Sequence, residues 1–168
     1  ALIGVLIGCI SGYFGGMVDV IIMRAVDIMD AIPYLIYVII IMIVLGSGFM
    51  PILLALTLTG WLSMARLVRG QILALKSEDY ILAARNLDTK PVRIMLRHLI
   101  PNCMGIIIVS LSMAIPSAIF SEAFLSFLGI GLSAPLTSLG QLISTGIREM
   151  RNYPYPVSYT HLTLPTIL

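Results

Sequence analysis

Three stretches of the 168-residue chain, residues 1–18, 31–65 and 98–121, contain no Asp, Glu, Lys or Arg. A soluble domain of this length has no core large enough to bury so much uninterrupted apolar chain, whereas a bilayer core of about 30 Å takes roughly 17–25 apolar helical residues per crossing. With 59% hydrophobic and 11% charged residues, the composition is far from the roughly one-quarter charged residues of soluble domains. The sequence therefore predicts an all-α, polytopic helical membrane protein. Cys9 and Cys103 both lie in apolar runs, where free Cys packs as a small hydrophobe, and they offer neither a disulfide framework nor a metal-ligand spacing.

Four spans are expected: residues 1–14, 31–47, 49–65 and 102–121. The middle two form a tight hairpin around Gly46-Ser47-Gly48, with Pro51 just after it. Pro116 in the fourth is tolerated because neighbouring helices can satisfy the freed carbonyl. The chain opens on Ala1 with no charged leader, so the first span is expected to lack its start. Val157-Ser158-Tyr159-Thr160-His161-Leu162 back-translates to GTCTCTTATACACATCT, which resembles a transposon end used in sequencing-library adapters. Residues 157–168 are therefore expected to be a non-native tail, leaving 1–156 as a transmembrane domain truncated at both ends.

Sidedness follows from the basic residues. Arg66, Arg69, Lys76, Arg85, Lys90, Arg93 and Arg97 place seven of the ten Lys and Arg in one 32-residue stretch, which the positive-inside rule assigns to the cytoplasm. The 31–65 hairpin crosses twice, so the Tyr13–Asp30 connection falls on the same side, and residues 122–147 begin on the outer face. Within the connection, Asp19, Arg24, Asp27 and Asp30 suit an Arg24–Asp27 pair, a second cytoplasmic contact, or a solvated amphipathic connector.

The cytoplasmic loop, residues 66–101, is polar yet patterned. A first short helix is expected from about Ser77 to Leu87, with Ser77 as N-cap and Glu78 and Asp79 in the opening turn, where negative charge suits the helix dipole. Tyr80, Ala83, Ala84 and Leu87 then share a face at i, i+3, i+4, i+7 spacing, a small-residue stripe that lets another surface approach closely. Asp88-Thr89-Lys90-Pro91 breaks this helix and starts a second, about 91–100, with Val92, Met95, Leu96 and Leu99 facing one way. Lys90, Arg93 and Arg97 form a basic stripe suited to lipid headgroups or an acidic partner.

These residues carry a resemblance. Tyr80-Ile81-Leu82-Ala83-Ala84-Arg85-Asn86-Leu87-Asp88 with His98-Leu99-Ile100-Pro101-Asn102 resembles the Glu-Ala-Ala loop of ABC-importer permeases. Three further stretches are Gly12-Tyr13-Phe14-Gly15-Gly16 leading to Met23-Arg24-Ala25-Val26-Asp27, then Ala65-Arg66-Leu67-Val68-Arg69-Gly70, and Glu122-Ala123-Phe124-Leu125-Ser126-Phe127-Leu128-Gly129-Ile130-Gly131-Leu132. Together they are similar to the C-type inner-membrane permease subunit of dipeptide, oligopeptide and nickel importers. The family's Glu falls on Leu82, its turn Gly on Asp88, and its Ile and Leu on His98 and Ile100. Asp is among the few non-Gly residues that visit the left-handed region, so the turn is expected to survive.

The resemblance implies a transport subunit of the bacterial or archaeal plasma membrane, without catalytic residues, cofactor or nucleic-acid contact. It implies two ATPase subunits, a second homologous permease chain, an extracytoplasmic solute-binding protein and the lipid bilayer as partners. The sequence has no Gly-x-x-x-x-Gly-Lys-Ser/Thr phosphate loop, so the ATPase partners handle ATP. The coupling residues would be Tyr80, Ala83, Ala84, Arg85, Leu87 and Asp88. The competing class is an ATP-independent carrier or channel, which would show internal repeats or a charge relay within spans; neither is visible.

Glu122 is the single acidic residue between Asp88 and Glu149. It suits an outer gate or pathway contact, or a cap on a helix from Ala123 to Leu128. His98 has no second His, Cys or carboxylate at metal-ligand spacing. Trp61, Tyr13, Tyr34, Tyr37, Tyr153 and Tyr155 lie near proposed span ends, as an aromatic belt would.

Overall fold

The computed structural model describes residues 1–46, 48–131 and 138–152. Tyr153, Tyr155 and the expected tail at 157–168 lie outside the described residues. The described chain is helical throughout: α1 (Leu2–Phe14), α2 (Gly16–Asp30), α3 (Tyr34–Leu45), α4 (Phe49–Leu75), α5 (Asp79–Asn86), α6 (Pro91–Ile94), a π-helical turn (Met95–Leu99), α7 (Ile100–Phe127) and α8 (Leu139–Asn152). Two rods are long and apolar enough to cross a membrane, Phe49–Leu75 and Pro91–Phe127. At 1.5 Å per residue they extend about 40 and 55 Å, so each overshoots a bilayer core of about 30 Å. A third crossing is available from α2 and α3 if that bent pair is taken together.

Glycine punctuates the chain where the backbone turns. Gly15 and Gly16 end α1 and begin α2 with φ of 65° and 52°, a left-handed pair that side chains with a Cβ adopt only at a cost. Between α2 and α3 the chain bends by 73°. Pro33 lacks the backbone donor a continuing helix would use, and a proline disfavours helical torsions in the residue before it. Tyr37 spans the bend, its hydroxyl donating to the carbonyl of Met29 at 2.8 Å and so supplying a donor to a carbonyl at the end of α2.

The tightest packing joins α1 to α4. Gly4, Gly8 and Gly12 lie along one face of α1, one turn apart. A Cβ on Gly8 would sit 2.4 Å from the Ala65 carbonyl oxygen, and one on Gly4 2.5 Å from that of Trp61. Backbone therefore meets backbone, the arrangement that small residues four apart permit in apolar helices. Around this seam Val5, Cys9, Met64, Val68, Ile72, Ile81, Ala84, Ile94, Met95, Leu99, Cys103 and Ile107 form one buried cluster. It draws in the connecting segments as well as α1, α4 and α7. Val38, Ile52, Ala55 and Leu125 form a second cluster, joined by Ile130, at the other end of the molecule.

The loop departs from its expected outline at three places. Ser77 does not cap α5: Glu78 occupies the N-cap position with extended torsions, and the Ser77 hydroxyl donates back to the Ala74 carbonyl at 2.9 Å. The second short helix does not stop near residue 100, because Pro91–Phe127 is one continuous rod. Pro101 cannot donate a backbone hydrogen bond, and the turn before it widens so that Ile100 N–H reaches Met95 O, the usual accommodation of a misfit inside a helix. The widened turn sends Ile94, Met95 and Leu99 inward, leaving Val92 and Leu96 exposed.

Glu122 does not begin a new helix, since α7 continues through it to Phe127. Its carboxylate instead accepts a hydrogen bond from the Ser126 hydroxyl at 2.6 Å. α7 then closes at Gly129 (φ 82°), with Gly129 N–H on Ser126 O and Ile130 N–H on Leu125 O, a Schellman ending. Beyond residues 132–137, α8 packs on the end of α7, and Ser138 Oγ accepts from Gln141 N–H at 3.2 Å, the expected N-cap bond.

Candidate functional site

The seven basic residues of the 66–97 stretch gather at one end of the bundle, where α4 passes through Lys76 and Ser77 into α5. Two anchors hold α5 there. Ile81 is fully buried and Ala84 9% exposed, and both belong to the cluster that also holds Ile72 of α4, Ile94 of α6 and Leu99 of the π turn. On the outer rim, the Arg85 guanidinium carbon lies 4.8 Å from the Tyr13 ring centroid, a cation–π contact that ties α5 to the end of α1. Lys76 Nζ adds a bond to the Gly12 carbonyl at 3.3 Å.

This division splits the expected stripe. Tyr80, Ala83 and Leu87 remain outside, Leu87 at 80% exposure. Ala84 turns inward, and the close approach it permits is to the chain's own helices. Ile81, absent from the expected set, makes the second inward contact. The reason is geometric: eight residues make just over two turns, and the pair 81/84 lies on the side the core occupies.

Asp88 stands at φ 53°, the one non-Gly residue with positive φ among the described residues. Asp88 N–H bonds Arg85 O at 3.0 Å and Thr89 N–H bonds Ala84 O at 3.2 Å, so Asp88 fills the position that glycine normally takes in this helix ending. The turn expected at Asp88 is present.

The acidic connector is clamped to α4. Arg66 bridges Asp27 at 3.0 Å and Asp30 at 2.6 Å. Arg69 grips Asp19 with two nitrogens, Nε on one oxygen and NH2 on the other at 2.5 Å, while Ser11 donates to the same carboxylate at 2.5 Å. No Arg24–Asp27 pair forms: Asp27 is taken by α4, and Arg24 has no ion pair among the described residues. The sequence carried no signal for this clamp: Arg66 takes both Asp27 and Asp30 while Arg69 takes Asp19, and spacing within segments does not reveal which segments meet.

The Arg69 hydrogen bonds are the largest influence on Asp19 and hold its carboxyl down at about 2, against the cost of desolvation. The stabilisation is therefore complete above the ordinary carboxylate value of about 4 and is lost as pH falls through that value towards 2. Arg69→Gln is expected to remove most of this acid sensitivity. A thermal-melting series from pH 7 to pH 3 on the full-length protein checks it; an unchanged series in the variant would remove Asp19 from the clamp.

Comparison with known proteins places this architecture. The family described as binding-protein-dependent transport system inner membrane component matches residues 4–168. The chain belongs to that family. Among curated relatives it is 46% identical over 167 residues to the oligopeptide transport system permease protein OppC of Bacillus subtilis, covering 97% of this chain and 55% of the relative. It is 47% identical over 146 residues to the dipeptide transport system permease protein DppC of the same organism, covering 87% and 46%. To OppC of Escherichia coli the identity is 39% over 154 residues, covering 89% and 51%. The chain thus spans about half the length of the curated relatives it matches. It is an all-α polytopic membrane protein of this inner-membrane transport family.

Proposed function

We propose that this chain forms the membrane-spanning core of one permease subunit of an ATP-driven, binding-protein-dependent importer for peptides or a related small solute. In this scheme the basic end faces the cytoplasm. Two ATPase subunits dock there, a second homologous permease completes the pathway, and an extracytoplasmic binding protein delivers the solute. The observation that carries the proposal is the two-sided character of α5. Its inner face, Ile81 and Ala84, belongs to the cluster that unites α1, α4 and α7, while Tyr80, Ala83 and Leu87 are exposed beyond it. A partner that moves α5 moves the spans with it, because a packed cluster shifts as a unit.

We propose Glu122, which accepts a hydrogen bond from Ser126 within α7, as an outer gate or pathway contact. A groove of about 600 Å³ between α4 and α7 presents Thr57, Gly60, Ser63, Ser110, Ser117 and Ser121. The Thr57, Ser117 and Ser121 hydroxyls donate to carbonyls of their own helices, and Leu53, Leu56, Leu111 and Met113 complete a mostly apolar lining.

The test is a pull-down of the full-length permease with its cognate ATPase. Ala83→Asp places a carboxylate on the exposed face without entering the core, and it is expected to weaken binding about tenfold, equivalent to ~1.4 kcal/mol. Failure of the wild type to bind, or equal binding by the variant, would sink the coupling role of α5.

A further inference from the structure

The charged groups of α2 and α4 do not balance pair by pair. Asp19, Asp27 and Asp30 are all engaged by Arg69 and Arg66, which leaves Arg24 without an anion among the described residues. Arg24 is exposed. It borders a stripe of exposed apolar residues on α2, Met17 (72%), Ile21 (63%) and Ile28 (69%), at i, i+4 and i+11 spacing along one side of the helix. Beside it opens a cavity of about 420 Å³ lined by Asp19, Val20, Met23, Arg24, Asp27, Arg66 and Arg69. Its lining is the ion-pair clamp and Arg24, with Val20 and Met23 as the apolar members.

α2 therefore has one face of carboxylates fastened to α4 and another that is apolar and uncovered, with a cation at the border between apolar and polar surface. A helix of that kind lies in a membrane interface, its apolar face among acyl chains and its basic side chain at headgroup level. The 73° bend to α3 and the Gly15-Gly16 joint let α2 depart from the direction of the spans. Of the anions that reach this depth, the phosphodiester of an anionic phospholipid satisfies both features: its phosphate matches the planar guanidinium fork, and its acyl chains cover Met17, Ile21 and Ile28. We infer that Arg24 and the adjoining cavity form a binding site for an anionic phospholipid headgroup, and that α2 lies in the interface at the basic end of the bundle.

The test uses the full-length protein in lipid nanodiscs and native mass spectrometry, with phosphatidylglycerol titrated against phosphatidylcholine. Wild type is expected to retain phosphatidylglycerol preferentially, and Arg24→Gln to lose about fivefold of that preference, the amount expected for one basic residue at an anionic surface. Arg24→Lys should keep part of it, and Arg148→Gln, remote in sequence, all of it. A melting curve establishes that Arg24→Gln is folded. Unchanged retention in Arg24→Gln overturns the site. Saturation by inorganic phosphate alone, with no contribution from acyl chains, overturns the lipid as ligand. Cross-linking of Arg24→Cys to a protein partner instead of lipid overturns it as well.

Discussion

Gly8→Leu is expected to prevent α1 from docking on α4 while leaving membrane insertion intact. A Cβ at this position meets the Ala65 carbonyl oxygen at 2.4 Å and the Arg69 amide nitrogen at 3.0 Å. Both are main-chain atoms, so no rotamer change relieves the clash, and the helices must separate along the whole seam. Overpacking of an ordinary core costs about 1–3 kcal/mol, and a clash against backbone belongs at or above the top of that range. Gly4 and Gly12 would lose their contacts with it, and the cluster of Val5, Cys9, Val68 and Ile72 would open. Leucine is more apolar than glycine, so insertion should proceed normally; association and insertion are separable steps for apolar helices. The expected readout is normal membrane abundance of the full-length protein but loss of a monodisperse peak after detergent extraction. A wild-type profile and melting temperature in Gly8→Leu would mean that the two backbones do not touch.

Ala84→Asp should do to α5 what Gly8→Leu does to α1. Ala84 shares its cluster with the apolar side chains of Ile72, Ile81, Ile94 and Leu99. Burying a carboxylate there, charged or protonated without a partner, costs about 3 kcal/mol or more, so the helix undocks instead. Trypsin then gains access to Lys76, Arg85 and Lys90, and limited proteolysis should cleave the variant at this segment far faster than wild type. Ala83→Asp, one residue away, should be as resistant as wild type and differ from it in ATPase binding. The adjacent pair thereby separates a folding defect from a coupling defect. Equal proteolysis of the two variants would show that α5 is not anchored through Ala84.

Much of the 77–91 segment was legible because its cues are local. Helix-forming residues between Ser77 and Asp88, an Asp tolerant of positive φ, and a proline restart are properties of short stretches, and α5 and its turn follow from them. The face that α5 buries was not legible. Tyr80, Ala83, Ala84 and Leu87 are equally good candidates by spacing, and only the position of the π turn and α4 assigns Ala84 to the core and Ala83 to the surface. Glu122 shows the same limit: its neighbours permit a helix start, but the contacts at the end of α7 favour continuation, and Ser126 holds the carboxylate one turn along.

The charge-free runs at 1–18, 31–65 and 98–121 by themselves determined a membrane protein of several helices, since no alternative solvent accepts that much apolar chain. The basic cluster from Arg66 to Arg97 likewise determined a polarised molecule. Tertiary structure decided which helices touch: Gly4, Gly8 and Gly12 of α1 on α4, and the acids of α2 on Arg66 and Arg69. Hydropathy is a property of each residue and its near neighbours, and adds up along the chain. Backbone-to-backbone contact and ion pairing depend on two segments distant in sequence arriving at one place, and the packed bundle alone specifies that place.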